Sequence, residues 1–244
     1  MQLLVSVRAG DEVAAALAGG ADIIDAKEPA RGSLGPVVPE VLQAISARVP
    51  ESVPFSVALG DFTAPDAVRH AVAGANVPRR RAPIYLKLGF AGERSEAVVT
   101  SLVAAALDAA AAASVRPVVV PVAYGDYEGA GSPAPEGVLR AAIEAGARAF
   151  LLDTYLKDGR GLLDWIALDR LHTLAADARS AGLLLAIAGS LDLAALDRVA
   201  GIADVVGVRG AACRGGREGS VDAELVRRLR ERLRVRPPAL STPG

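Results

Sequence analysis

Eight short runs of Val, Ile, Leu and Ala alternate along the chain with longer Ala/Leu-rich stretches of helical period, and few architectures can absorb that alternation. The strand candidates are residues 3–7, 23–26, 55–59, 84–88, 117–122, 149–153, 183–188 and 204–208. Most are apolar throughout rather than every second residue, as expected of parallel strands covered on both faces. The helical pattern occupies residues 11–18, 39–49, 64–73, 93–113, 135–145, 168–181, 193–200 and 222–233. Glycine recurs where a helix hands over to the next strand, in Gly19-Gly20-Ala21-Asp22, Ala145-Gly146-Ala147-Arg148, Ala181-Gly182-Leu183 and Ala200-Gly201-Ile202-Ala203-Asp204. A glycine in the left-handed conformation ends a helix at such a point. Eight strand–helix units in 244 residues predict an α/β protein built as a single-domain (β/α)8 TIM barrel, residues 1–235. An open doubly wound sheet shares the alternation. It calls for a glycine-rich dinucleotide fingerprint after the first strand, and Val7-Arg8-Ala9-Gly10 supplies none. Residues 236–244 are proline-rich, lack a core pattern and are expected to form a loosely packed tail.

Composition narrows the function. With 52% hydrophobic but 4% aromatic residues, the core must be aliphatic. A net charge of −1 and no basic block argue against nucleic acid as a partner. The start of the chain lacks a secretory pattern, and no apolar run approaches the roughly 18 residues that span a bilayer. A soluble cytoplasmic protein without membrane contact is expected. The single cysteine, Cys213, excludes an intrachain disulfide and reads as a small buried filler. His70 and His172 fall on helical segments away from strand ends. No His, Cys or carboxylate group has metal-ligand spacing, so neither a metal nor a cofactor is predicted. Amphipathic helices around a barrel permit a homo-oligomer without selecting its symmetry.

Lysine carries the sharpest signal. The chain has 27 basic Lys and Arg residues, of which Lys27, Lys87 and Lys157 are the lysines. Each falls at or just past the end of a strand candidate. Arginine has taken over surface charge, and it cannot replace an amine that must lose its proton. Catalytic groups of a barrel project from the C-terminal strand ends. There the two-residue period places Asp25 with Lys27, Tyr85 with Lys87, and Asp153 with Tyr155 and Lys157. Strands three and five contribute Gly60-Asp61 and Tyr124-Gly125-Asp126. Clustered ammonium groups lower one another's proton affinity, so one amine becomes nucleophilic near neutrality. The carboxylates limit that effect and can shuttle protons. Plain Asp–Lys ion pairs filling the polar end of a barrel are the alternative.

The last two strands end in Ala188-Gly189-Ser190 and Gly207-Val208-Arg209-Gly210-Ala211-Ala212. Small residues let backbone N–H groups approach an anion, and barrels commonly bind phosphate after strands seven and eight. Gly189, Ser190, Gly207, Gly210 and Ala211 are therefore expected to line a phosphate site. Arg209 is expected to add a charge-assisted contact. A phosphorylated metabolite is the expected small-molecule partner. Arg31-Gly32-Ser33-Leu34-Gly35-Pro36, after Lys27, is either a cover for the mouth or a plain connection.

Four stretches, "GGADIIDAKEPARGSLG", "LLDTYLKDGRGLLD", "IAGS" and "DVVGVRGAAC", together with the opening "LLVSV", resemble the (5-formylfuran-3-yl)methyl phosphate synthase family. The family is also called 4-(hydroxymethyl)-2-furancarboxaldehyde-phosphate synthase, of methanofuran biosynthesis. The resemblance runs from Gln2 to about Leu233. It implies a (β/α)8 barrel that joins two glyceraldehyde 3-phosphates into a phosphorylated furan aldehyde, losing one phosphate and two waters. It further implies Lys27 as the Schiff-base lysine and Lys87 as the general base. Asp25, Asp153 and Lys157 would assist proton transfer and orientation. A class I aldolase or isomerase on another sugar phosphate, and a phosphometabolite-binding barrel without catalysis, are the competing readings.

Overall fold

The computed structural model describes residues 1–234, and the proline-rich segment lies outside them. Strands β1 (Gln2–Val7), β2 (Ile23–Ala26), β3 (Phe55–Asp61), β4 (Ile84–Gly89), β5 (Val118–Tyr124), β6 (Ala149–Asp153), β7 (Leu184–Ile187) and β8 (Val205–Val208) pair in chain order. All pairings are parallel, and β1 joins β8 through registers such as Gln2 with Val205 and Val5 with Val208, which closes the barrel. Around it run α1 (Glu12–Ala18), α2 (Pro39–Ser46), α3 (Pro65–Gly74), α4 (Glu96–Ala112), α5 (Pro135–Ala145), α6 (Leu168–Ser180), α7 (Leu193–Val199) and α8 (Ala223–Arg234). The eightfold alternation of the sequence is this barrel.

Local chemistry sets the helix ends. Proline opens α2, α3 and α5, where its missing N–H costs nothing. The Ser95 hydroxyl accepts from the Val98 N–H at the start of α4, and Gly146 ends α5 at φ 84°. Alternation along each strand then sorts side chains into two shells. Leu3, Val5, Ile24, Phe55, Val57, Leu86 and Phe150 face outward and pack beneath the helices. Ile23, Ala58, Val120, Val122, Leu151, Ala186 and Val205 face inward and fill the barrel.

At its C-terminal end the inner shell turns from apolar to polar. Ser6, Asp25, Ser56 and Tyr85 share one rung across β1 to β4. Strands β3 and β5 run two residues beyond their apolar runs, to Asp61 and Tyr124, because the mouth is built from polar groups that carry no hydrophobic signal. Three loop elements were likewise invisible to periodicity: the short helices Tyr127–Ala130 and Leu162–Trp165, and a hairpin of Cys213–Arg214 with Ser220–Val221.

Candidate active site

The inward positions near the strand ends surround a cavity of about 250 Å³. Lys27, Lys87, Lys157 and Asp153 line it on one side, and Gly189, Ser190, Gly207, Arg209, Gly210 and Ala211 on the other. Asp25 lies directly behind, fully buried. The eleven residues singled out from the sequence are thus one cluster.

Asp25 does not pair with its strand neighbour Lys27. Its Oδ2 accepts from the Lys87 Nζ at 2.7 Å and from the Ser6 hydroxyl at 2.7 Å. Burial works to raise the Asp25 carboxyl, but Lys87 and Lys27, with the Ser6 hydrogen bond, bring it below the ordinary range. Lys157 lies beyond the end of β6, so strand alternation does not aim it. A turn folds it back, and its Nζ donates to Asp153 Oδ1 at 3.2 Å, to the Thr154 carbonyl at 2.5 Å and to the Thr154 hydroxyl at 2.9 Å. All three donors of that ammonium are taken. Asp153 is buried, which opposes its charge, yet Lys157, Lys27, the Thr154 N–H and Lys87 hold it down to about 2.

Lys27 is different. It is buried and makes no side-chain hydrogen bond among the described residues. Burial is the main cause that brings its amine from 10.5 to about 7; Lys87 and Lys157 push the same way, against Asp153 and Asp25. The two carboxylates already neutralise Lys87 and Lys157, so a charged Lys27 would be a surplus cation in a buried site.

Across the cavity the rim suits an anion. The N–H groups of Gly189, Ser190, Gly210 and Ala211 make no hydrogen bond to turn, loop or cap acceptors among the described residues. Ser190 adopts φ 50°, an uncommon conformation for a side-chain-bearing residue and one that often marks functional sites. A Cβ on Gly207 would lie 3.3 Å from the Ala188 Cβ and 3.5 Å from Leu4, so this inward glycine keeps the cavity open.

Arg209 corrects one expectation. Nε donates to the Arg217 carbonyl, Nη1 to the Ser6 carbonyl and to Glu12 Oε2 at 2.6 Å, and Nη2 to Glu12 Oε1 at 3.0 Å and the Gly219 carbonyl. Five N–H donors are spent on five protein acceptors, leaving none for phosphate. Arg209 is a buried clamp between β1, α1 and the loop after β8.

Four groups were missed or left unranked. Ser33 donates to the Thr154 carbonyl at 2.7 Å and to Asp153 Oδ2 at 3.2 Å, pinning the loop after β2 across the mouth. Arg217 ties the same loop from the other side, with Nη2 donating to the Pro29 and Gly32 carbonyls. The segment after Lys27 is thus a fastened cover. Asp61 Oδ1 accepts from the Tyr124 hydroxyl at 2.7 Å and from the Ala91 N–H at 2.9 Å, and makes no ion pair among the described residues. Asp126, from the same strand end as Tyr124, instead caps the Tyr155 and Leu156 N–H groups, both at 2.7 Å. A serine and an arginine in loops carry no sequence signal of their own; Asp61 carried one in its place at a strand end. The helical histidines are exposed, and burial pushes the Cys213 thiol up to about 11, which leaves it inert.

A closed parallel barrel with amines, carboxylates and an anion-receptive rim gathered at its C-terminal strand ends is the architecture of (β/α)8-barrel enzymes. Solved barrels share the fold across nearly the whole chain. Phosphoribosyl anthranilate isomerase from Thermotoga maritima superposes with a TM-score of 0.60 at 15% identity, covering 96% of this chain and 98% of that one. KGPDC from Streptococcus mutans gives 0.58 at 15% identity, with 95% and 98% covered. At such identities the likeness concerns fold alone. Residues 3–230 match the family model described as 4-HFC-P synthase. The (5-formylfuran-3-yl)methyl phosphate synthase of Methanothermobacter thermautotrophicus is 38% identical over 241 residues, covering 96% of this chain and 99% of the relative. That of Methanocaldococcus jannaschii is 36% identical over 235 residues, with 95% and 99% covered. The chain belongs to the 4-HFC-P synthase family.

Proposed function

We propose that this protein joins two molecules of glyceraldehyde 3-phosphate into (5-formylfuran-3-yl)methyl phosphate, as a carbon–oxygen lyase that releases one phosphate and two waters through a Schiff base on Lys27. The observation that carries the proposal is the unpaired, buried amine of Lys27, held at about 7 beside the Lys87–Asp25 pair. Neutral Lys27 attacks the substrate aldehyde, giving a carbinolamine. Lys87 starts as the ammonium in its ion pair and gives its proton to the departing hydroxyl, which leaves as water. The resulting iminium acidifies the adjacent carbon, and Lys87, now neutral, removes that proton to form the enamine. Enamine electrons expel phosphate from the third carbon, leaving an enol at carbons two and three; that enol, losing its hydroxyl proton as it reacts, supplies the nucleophile for carbon–carbon joining. Asp25 holds Lys87 in place through both transfers.

Loss of water in the later steps calls for an acid. Asp25 and Asp153 are held ionised by their lysines, whereas Asp61 makes no ion pair among the described residues and is exposed at the mouth. Loss of water around it, with the charge of Asp153 adding, lifts its carboxyl above the ordinary range despite the Ala91 and Tyr124 hydrogen bonds. Asp61, which takes up a proton more readily than Asp25 or Asp153, is therefore assigned to relay a proton to a leaving hydroxyl. The Gly189–Ser190 and Gly210–Ala211 backbone holds the phosphate of the substrate bound to Lys27.

Incubation with glyceraldehyde 3-phosphate alone, followed by mass and ultraviolet identification of the product, tests the reaction. A conjugated furan aldehyde absorbs strongly, whereas an ordinary aldol product does not. Reduction with borohydride should add the mass of the reduced triose phosphate to the peptide containing Lys27. Active enzyme with no adduct there would remove the Schiff-base role.

A further inference from the structure

A second chamber of about 720 Å³ lies outside the fastened cover, lined by Ser33, Asp61, Tyr155, Lys157, Arg217 and Glu218 among others. Two of these, Lys157 and Arg217, also line the inner cavity, so they stand in the partition between the chambers. The ammonium of Lys157 has no donor left, as its three are taken by Asp153 and Thr154. Arg217 is unlike it. Only Nη2 is engaged, by two carbonyls of the cover, while Nε and Nη1 have no protein acceptor and no carboxylate pairs with the guanidinium among the described residues. A half-buried arginine that forms no ion pair among the described residues, and whose Nε and Nη1 keep free N–H donors on different edges of the fork, can still donate to an anionic ligand. Burial works against its charge more than Asp153, Glu218 and Glu28 favour it, and an arriving anion would offset the difference.

We propose that the outer chamber binds a second three-carbon phosphate, with a free N–H of the Arg217 guanidinium donating to its phosphate group. This rests on the reading that two triose phosphates are joined, since carbon–carbon bonding requires a subsite that shares a wall with the first. The inner rim serves one phosphate through backbone N–H groups. Arg217 serves the other, and its Nη2 links that ligand to the cover over Lys27. Asp61 then faces the second substrate rather than the first, which places a proton donor where the later water is lost.

Calorimetric titration of the full-length protein with sn-glycerol 3-phosphate, which has no aldehyde and cannot react, tests the assignment. The expected result is two equivalents per chain. Arg217→Gln should bind one, with the second weakened at least tenfold, and Arg217→Lys should keep two with a weaker second. Borohydride trapping of a first triose on Lys27 should be within about twofold of wild type in both variants, which also certifies their fold. One equivalent in the wild type, two undiminished equivalents in Arg217→Gln, or the loss of both together would overturn the subsite. So would Arg217→Lys behaving like Arg217→Gln, because the positive charge would then be irrelevant. Absence of a furan product from the wild-type enzyme bears on the proposed reaction instead, since the stoichiometry is read without turnover.

Discussion

The Nζ of Lys87 lies 2.7 Å from Oδ2 of Asp25 inside the closed barrel, with side-chain exposures of 6% and 0%. This pairing crosses from β4 to β2 and passes over Lys27, the amine two residues along from Asp25 on the same inward face. Asp153 is taken up in the same way by Lys157 at 3.2 Å. Two carboxylates and two ammoniums balance, and the third amine is the one whose proton the site does not need. Reactivity at Lys27 is thus a consequence of who pairs with whom, as much as of burial.

The rate of Schiff-base formation should therefore rise as pH increases through about 7, where Lys27 sheds its proton. Borohydride trapping sampled in short pulses from pH 5 to 10 would display this limb. A half-point near the free-lysine value above 10 would mean that the pocket does not tune the amine.

Replacing Lys27 by Met should stabilise the fold while ending adduct formation. Each tenfold change in proton affinity is worth about 1.4 kcal/mol, so a fall from 10.5 to about 7 sets a ceiling near 5 kcal/mol on the gain. The sign with pH follows from linkage. The unfolded chain binds the extra proton between about 7 and 10.5, so the cost of Lys27 is full below 7 and fades toward 10.5. Urea unfolding of the two proteins at pH 6 and pH 10 should show a large difference at the lower pH and a small one at the higher. Equal stabilities at pH 6 would contradict the account.

Asp25→Asn removes the counterion and leaves the Lys87 ammonium buried. Breaking a buried pair from one side typically costs about 3–5 kcal/mol, and the neutral amide cannot recover it. Turnover should collapse, because the unpaired Lys87 ammonium is no longer held where it can protonate the departing hydroxyl. Denaturant midpoint and single-turnover trapping, measured together, separate the two effects.

Much of this arrangement was legible in the sequence, and the limits have physical causes. Parallel strands covered on both sides must be apolar along their length, so their order and inward parity could be read, and parity put Asp25, Lys27, Lys87 and Asp153 in one place. Partners could not be read. Strand spacing gives the face of Asp25 but not whether Lys27 or Lys87 reaches it, since that depends on barrel stagger and side-chain length. Arg209 shows the same limit from the other side: its position at a strand end was right for a ligand, while Glu12, 197 residues away in sequence, claims its fork. Arg217 and Ser33 act from loops, where no period reports direction.

Gly89 holds a further dependency. A Cβ there would overlap both Asp61 Oδ1 and the Tyr124 hydroxyl, closer than any real contact. Gly89→Ala should destabilise the protein by about 1–3 kcal/mol through overpacking and push Asp61 from its place. Asp61→Asn preserves the acceptor for Tyr124 and Ala91 but cannot donate an acidic proton. Furan formation should fall by roughly 10²–10⁴, the usual worth of a positioned acid, with Lys27 trapping retained. Full furan formation in Asp61→Asn would assign that proton to another group.

The Arg209–Glu12 clamp separates a structural arginine from a binding one. Both groups are buried, at 3% and 6% side-chain exposure, and the guanidinium has no N–H left for a ligand. Glu12→Gln leaves Arg209 charged without its carboxylate, so a loss of about 3–5 kcal/mol is expected in urea unfolding. Affinity for inorganic phosphate, measured where the variant is still folded, should stay within about twofold of wild type. An Arg209 that instead held phosphate would respond in the opposite way: freed from Glu12 it would bind the anion more tightly, and the loss of stability would shrink as phosphate was added. Phosphate titration of the unfolding midpoint therefore decides the role of Arg209 without recourse to activity.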